Sequence, residues 1–412
     1  MGSKTKSFDY KWVVIALCFL MTFTCLGFCS STKSIFILPV CDGIDISRTE
    51  FSVSDSIRYV STAVMNLFFA VLIKRFGAKL LICAGVGALI VSSLIASYAQ
   101  SAVALYVSGL FLGIGFAWTS TTMVGSVVNL WCKENKGSIM GAILASNGLG
   151  AALAVQILTP IIASSSTGFR DAYMVTVLIL VVLLLAILLF FKDHPSAKAE
   201  SQTSKNETKS GKESGDFKSL FRKPSFYVSL VCVFIAGSVL QSMHSISVPI
   251  YSDSGLDAAT VATIVSIGSL FLTFTKFGVG FVYDRLGVRF TSSLCYSAAV
   301  ISALLLIWVS HQGGAFLATV STLLRDVALP LETIMLPIYA RELFGERYFN
   351  SALGLIVAVN SAGYAVGGVV ANLFFDLTGS YDVVLWLFGA LLLFAMFALW
   401  RIISLAKRNK EA

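Results

Sequence analysis

Runs of about twenty apolar residues recur along the whole length of this 412-residue chain, and no other feature restricts its fold so strongly. Lipid offers no partner to backbone N–H and C=O groups, so segments of this kind cross a bilayer as helices. Twelve spans are expected, at 12–39, 54–73, 79–99, 102–130, 137–163, 171–191, 225–251, 258–283, 288–311, 314–340, 350–376 and 381–405. The first is too long for the apolar core of a secretory leader and no small-residue cleavage site follows it, so it reads as a retained helix. Hydrophobic residues make up 57% of the chain and charged residues 13%, about half the share usual in a soluble protein. The fold class is therefore an all-α, multi-pass membrane protein.

A net charge of +8 would suit a nucleic-acid partner were it concentrated on one surface, but its distribution points elsewhere. With both termini assigned to the cytoplasm, 24 Lys and Arg fall on that side and three, Arg48, Arg58 and Arg170, on the other. This is the positive-inside bias, and it sets the orientation expected in the plasma membrane. No nucleic-acid partner is expected. Three cations remain inside spans: Lys33, Lys276 and Arg325. Cys25 and Cys29 lie one helical turn apart, but no His or acid completes a metal site with them, so neither metal nor cofactor is expected. The chain lacks G-x-S-x-G, H-E-x-x-H and Walker sequences, which argues against an enzyme or an ATP-driven pump.

Residues 192–224 are polar, Lys-rich and Ser-rich, and read as a cytoplasmic linker. They divide the chain into an N-terminal half, 1–191, and a C-terminal half, 225–412, of six spans each. The halves repeat. Arg75, Gly77 and Lys79 match Arg285, Gly287 and Arg289 at an offset of 210. Gly141, Asn147 and Gly150 match Gly354, Asn360 and Gly363 at 213, and Lys33-Ser34-Ile35 matches His244-Ser245-Ile246 at 211. Duplicated six-span halves with a site at the midplane between them are a recurrent plan of secondary transporters.

Residues 280–289, Gly-Phe-Val-Tyr-Asp-Arg-Leu-Gly-Val-Arg, fit the G-x-x-x-D-R-x-G-x-R loop of the major facilitator superfamily, and at the level of fold the chain resembles that family throughout. The resemblance implies two pseudo-symmetric six-helix bundles, alternating access, and a gating role for Asp284 and Arg285. In the first-half copy Ala70 and Lys74 replace the glycine and the aspartate.

Ionisable residues inside spans are functional candidates because leaving them in lipid is costly. Arg325 and Asp326 sit at least ~16 Å from either end of span 10, and Glu332 follows two turns later on the face of Arg325. Lys276 lies ~12 Å inside the inner boundary and Lys33 ~9 Å from the outer end. Snorkelling would account for either lysine, and Arg325–Asp326 would serve equally as a structural pair. Together, three cations against two acids leave a positive surplus, which an anionic ligand would balance. Asp326 or Glu332 would carry a proton in symport. His244, Tyr59, Asn66, Trp118 and Gln241 are polar or aromatic residues placed to line the same cavity.

The segments "TKSIFIL" (32–38), "DYKWVV" (9–14) and 129–150 are similar to motifs of the monocarboxylate transporters, and Lys276 stands where that family and the oxalate:formate antiporters place a carboxylate-binding arginine. The resemblance implies that Lys33 and Lys276 engage a substrate carboxylate. Two departures accompany it. Leu272 stands where the monocarboxylate transporters carry an aspartate, which leaves proton coupling to Asp326 or Glu332. Span 11 carries Asn360 and no lysine, which leaves a second positive charge to Arg325. The expectation is a monomeric carrier of small organic anions, chiefly monocarboxylates, coupled to protons. Carboxylate exchange is the nearest alternative. A non-transporting sensor on the same scaffold is a third, against which the short cytoplasmic segments argue.

Overall fold

The computed structural model describes residues 10–132, 136–193, 224–344 and 349–411, and all regular structure among them is helical. In chain order the helices are α1 (Lys11–Ile44), α2 (48–76), α3 (78–97), α4 (102–131), α5 (Lys136–Ala163), α6 (Gly168–Phe190), α7 (Pro224–Asp253), α8 (258–286), α9 (288–312), α10 (315–344), α11 (Phe349–Thr378) and α12 (Asp382–Glu411). Among the described residues ten stretches are long and apolar enough to cross a membrane. The other two expected spans are α2, whose outer half carries Arg48, Glu50, Asp55 and Arg58, and α10, which is broken. Most of the expected linker, 194–223, lies outside the described residues.

Local sequence explains where the helices begin and bend. Ser47 and Glu50 form a reciprocal capping box: the Glu50 amide donates to the Ser47 hydroxyl at 3.1 Å and the Ser47 amide to the Glu50 carboxylate at 2.9 Å. α2 therefore starts well before the apolar run, and this carries Asp55 and Arg58 into the helix. Gly77 (φ 80, ψ 167) and Gly287 (φ 77, ψ 171) make the elbows between α2 and α3 and between α8 and α9. That backbone conformation is open essentially to glycine alone. α1 holds a π-helical turn at Thr22–Leu26, and its regular helical hydrogen bonding lapses into a turn at 30–32, immediately before Lys33. Inserted turns of this kind recur at functional sites.

The duplication is visible in the packing. α5 crosses α1 at Gly150, where an added Cβ would stand 2.0 Å from the Phe23 carbonyl oxygen, and α11 crosses α7 at Gly363, 2.5 Å from that of Phe234. Ser92 and Ser108 exchange hydroxyl-to-carbonyl hydrogen bonds at 2.8 and 2.9 Å between α3 and α4, and Ser302 and Ser321 repeat this between α9 and α10 at 2.8 and 3.1 Å. α4 leaves helical geometry at Ser120, and α10 at the equivalent place, through a 3-10 turn at Leu329–Glu332 and then Thr333. Two six-helix bundles thus share one internal plan.

Candidate substrate site

The bundles meet most tightly toward their outer ends. Arg48 donates to both carboxylate oxygens of Asp253, at 2.7 and 3.0 Å, and lies over the Phe375 and Tyr381 rings. Along α2 and α11 the Thr49 amide donates to Asp376 at 3.0 Å, Asn372 donates to the Ser52 hydroxyl at 2.8 Å, and Ser56 donates to the Ala365 carbonyl. Gln156 on α5 donates to Ser266 on α8 at 3.1 Å. On the inner side, added Cβ atoms at Gly141, Gly278 and Gly354 would meet nothing within 4 Å. The bundles are closed at the ends that carry Arg48 and Asp253, called outer here, and parted at the ends beside the two termini, called inner.

Beneath that seal, Arg58, His244 and Arg325 each lie about ten residues, or ~15 Å, from the outer end of their helices. Arg325 is 5% exposed and Asp326 1%. The Arg325 Nε and Nη2 donate to Asp326 Oδ1 at 3.1 and 2.9 Å, and Nη1 donates to Ser247 on α7 at 2.9 Å. Asp326 Oδ2 is buried without a hydrogen bond and faces Gly268 of α8, where a side chain would fill its space. His244 lies within the field of both Arg58 and Arg325, and its Nδ1 has no partner.

Deeper in, Glu332 occupies the break in α10. It is buried, with Oε1 unbonded and the Tyr364 hydroxyl approaching it from α11. Tyr364 packs 5.3 Å from the Tyr59 ring across the boundary between bundles. The half-buried Lys276 makes no hydrogen bond or ion pair among the described residues, and the nearest charges acting on it are Asp326 and Glu332. The buried indole Nε1 of Trp118 likewise lacks a partner. Gln241 is half-buried on α7 one turn before His244, whereas Asn66 is exposed on the inner part of α2.

In the N-terminal half the structure corrects the reading of Arg58. It is no outer-surface residue: it is 3% exposed, donates to Asp55 at 2.8 Å and to Ser30 at 3.0 Å, and lies over the Tyr59 and Phe116 rings. Expected span 54–73 already contains it, and Ser30 and Asp55 hold its guanidinium inside the bundle. Lys33 does not face the other bundle. It lines a cavity of about 20 Å³ walled by residues of the N-terminal half alone, among them Ser92, Ser93, Tyr173 and Thr176, with its ammonium 3.8 Å from Asp55. The internal count becomes Lys33, Arg58, Lys276 and Arg325 against Asp55, Asp326 and Glu332, so one positive charge remains in excess.

Asp284 and Arg285 are exposed at the inner end of α8, and Arg285 lies over its own helix's Phe281. Asp284 makes no hydrogen bond or ion pair among the described residues; 345–348, which precede α11, lie outside them. In the first half, where Lys74 stands for the motif aspartate, Asp193, beyond α6, accepts the Lys79 amide at 2.9 Å beside Gly77. Sequence reasoning missed Asp55, Arg58 and Tyr364 in the site and the Arg48–Asp253 latch above it. The available signal was Asp55-x-x-Arg58, an acid and a cation one turn apart inside an expected span.

Paired bundles with elbows at Gly77 and Gly287, closed on one side of a buried polar centre, define a membrane carrier. Residues 12–340 match the family model of the Major Facilitator Superfamily, and the chain belongs to that family. It is similar to the uncharacterized MFS-type transporter YcxA of Bacillus subtilis, 24% identical over 389 residues, covering 90% of both chains. It is also similar to the oxalate:formate antiporter of Oxalobacter formigenes (22% over 376 residues, covering 89% of this chain and 85% of the relative). Monocarboxylate transporter 2 of Homo sapiens is 22% identical over 453 residues, covering 98% and 88%. In fold it superposes on the crystal structure of the nucleoside transporter NupG with a TM-score of 0.79 at 15% identity, over 96% of this chain and 99% of that one. The protein is a membrane transporter of a small molecule and not an enzyme.

Proposed function

We propose that this transporter carries small organic anions, chiefly monocarboxylates, by alternating access of its two halves, 1–191 and 225–412, in proton symport. The observation that carries the reading is the internal charge excess, above all Lys276, whose ammonium has no acid within ion-pair distance among the described residues. Even a half-buried cation without a partner inside a membrane protein is costly, and a carboxylate guest relieves that cost. Lys276 and Arg325 supply the positive charge of the C-terminal half, and the Lys33–Asp55–Arg58 group that of the N-terminal half. His244, Tyr59, Trp118 and Gln241 line the guest, with Asn66 on its inner path. The oxalate:formate antiporter and monocarboxylate transporter 2 among the relatives lend support. Asp326 and Glu332, each with one unbonded buried oxygen, are the proton carriers in this scheme, and Asp284 and Arg285 close the inner side. The carrier works as a monomer in the plasma membrane, termini inside.

Exchange is the second reading, and the same Lys276 favours it: an empty carrier holding an unpaired cation resists occlusion. Uptake of labelled carboxylates, neutral solutes and cations into liposomes, with and without an imposed pH gradient, tests both. Carboxylate accumulation driven by the gradient is expected. Counterflow indifferent to pH would select exchange, and transport of cations or neutral solutes with carboxylates ignored would overturn the anion reading.

A further inference from the structure

Asp55 stands between two cations, ion-paired with both, and is hydrogen-bonded to only one. Its Oδ2 accepts from Arg58 Nη2 at 2.8 Å, while its Oδ1 is buried without a hydrogen bond and 3.8 Å from the Lys33 ammonium, too far for one. Among the described residues Lys33 has no other acid near it; hydroxyl groups, the Cys29 thiol and apolar side chains line the cavity beside it, and the Phe51 ring lies 5.1 Å away. Arg58 is held on the opposite side of Asp55 by Ser30 and reaches the field of His244 in the other bundle, and its Nε is buried and unpartnered. A guanidinium with an unused Nε–H can take a carboxylate in bidentate fashion.

We propose that Arg58 is the carboxylate-binding residue of the N-terminal half, and that Asp55 is an internal stand-in for the substrate, handed to Lys33 when the substrate arrives. In the empty carrier Asp55 neutralises Arg58. An incoming carboxylate takes Arg58, and Asp55 closes the remaining ångström to Lys33. Each cation keeps or gains an acid at every stage, so this half is never left with a bare guanidinium at the bundle boundary. Lys33 is thus a positioning residue acting through Asp55 rather than a contact of the passenger. This assignment rests on the carboxylate reading above and adds to it a residue, Arg58, and a partner exchange.

The test is a double-mutant cycle on full-length protein in liposomes. Labelled formate, oxalate, pyruvate and lactate are screened on the wild type, and the best-carried becomes the probe. If none is carried, the carboxylate reading and the relay fall together. With a probe in hand, Arg58→Lys is expected to raise KM at least tenfold. Asp55→Asn, which removes the competitor, is expected to lower KM about fivefold and to slow turnover by a similar factor. Lys33→Met is expected to raise KM about tenfold in the wild-type background and to have no effect in the Asp55→Asn background. If Asp55→Asn is not recovered as monodisperse protein, Asp55→Ser closes the same cycle. A lysine that touches the substrate itself would cost the same in both backgrounds. That result, or a rise in KM for Asp55→Asn, would overturn the relay while leaving carboxylate transport standing.

Discussion

Tyr364 joins two parts of the molecule that must act together: its ring packs 5.3 Å from that of Tyr59 in the opposite bundle, and its hydroxyl approaches Glu332. A contact between the bundles, just below the outer seal, and a buried acid therefore share one side chain. Any change in the bonding of Glu332 bears directly on a contact that holds the carrier closed outward.

Glu332→Gln removes a proton carrier while keeping size and hydrogen-bonding groups. Accumulation of the carboxylate against its gradient, driven by an inside-alkaline pH difference, should fall at least tenfold, whereas exchange of labelled for unlabelled substrate should persist. Parallel measurement of the two fluxes in one liposome preparation checks this.

Asp326→Asn should act on stability. It leaves Arg325, 5% exposed, without its acid, and a buried charge deprived of its partner costs about 3–5 kcal/mol. Thermal unfolding in detergent should show a marked drop, and Asp326→Glu should lose less.

The outer latch is partly open to water, with Arg48 13% and Asp253 40% exposed, so the ion pair itself contributes less than about 1 kcal/mol. Arg48 also lies over Phe375 and Tyr381. Arg48→Ala should therefore open the outer side more than Asp253→Asn. A cysteine at Ser56, under the latch, should react several-fold faster with a membrane-impermeant thiol reagent from outside in the Arg48→Ala background.

Four glycines separate packing from motion. Gly150→Ala and Gly363→Ala force a Cβ into a facing carbonyl and should destabilise by about 1–3 kcal/mol. The Cβ added by Gly141→Ala or Gly354→Ala meets nothing within 4 Å in the inward-parted state. Melting should be unchanged and transport slowed, since these positions come together only when the inner side closes.

The spans were legible because a bilayer imposes length and apolarity on every crossing segment, and the elbows because Gly77 and Gly287 recur with their flanking cations. Arg58 was not. Charge counting assigns it to the outer loop although span 54–73 contains it, and only the packing shows Ser30 and Asp55 holding its guanidinium inside. Lys33 was visible as a buried charge, but the rotation that turns it toward its own bundle follows the π turn at Thr22–Leu26, which no residue pattern announces. The Ser92–Ser108 and Ser302–Ser321 pairs are lost among many serines until the helices cross.

Equilibrium binding of a labelled carboxylate to the purified protein, competed by its uncharged amide, tests most directly whether internal positive charge selects the guest. Displacement by carboxylates with the amide at least a hundredfold weaker, and loss of binding in Lys276→Gln, is the expected result. Equal competition by the amide, or undiminished binding in Lys276→Gln, would contradict the account.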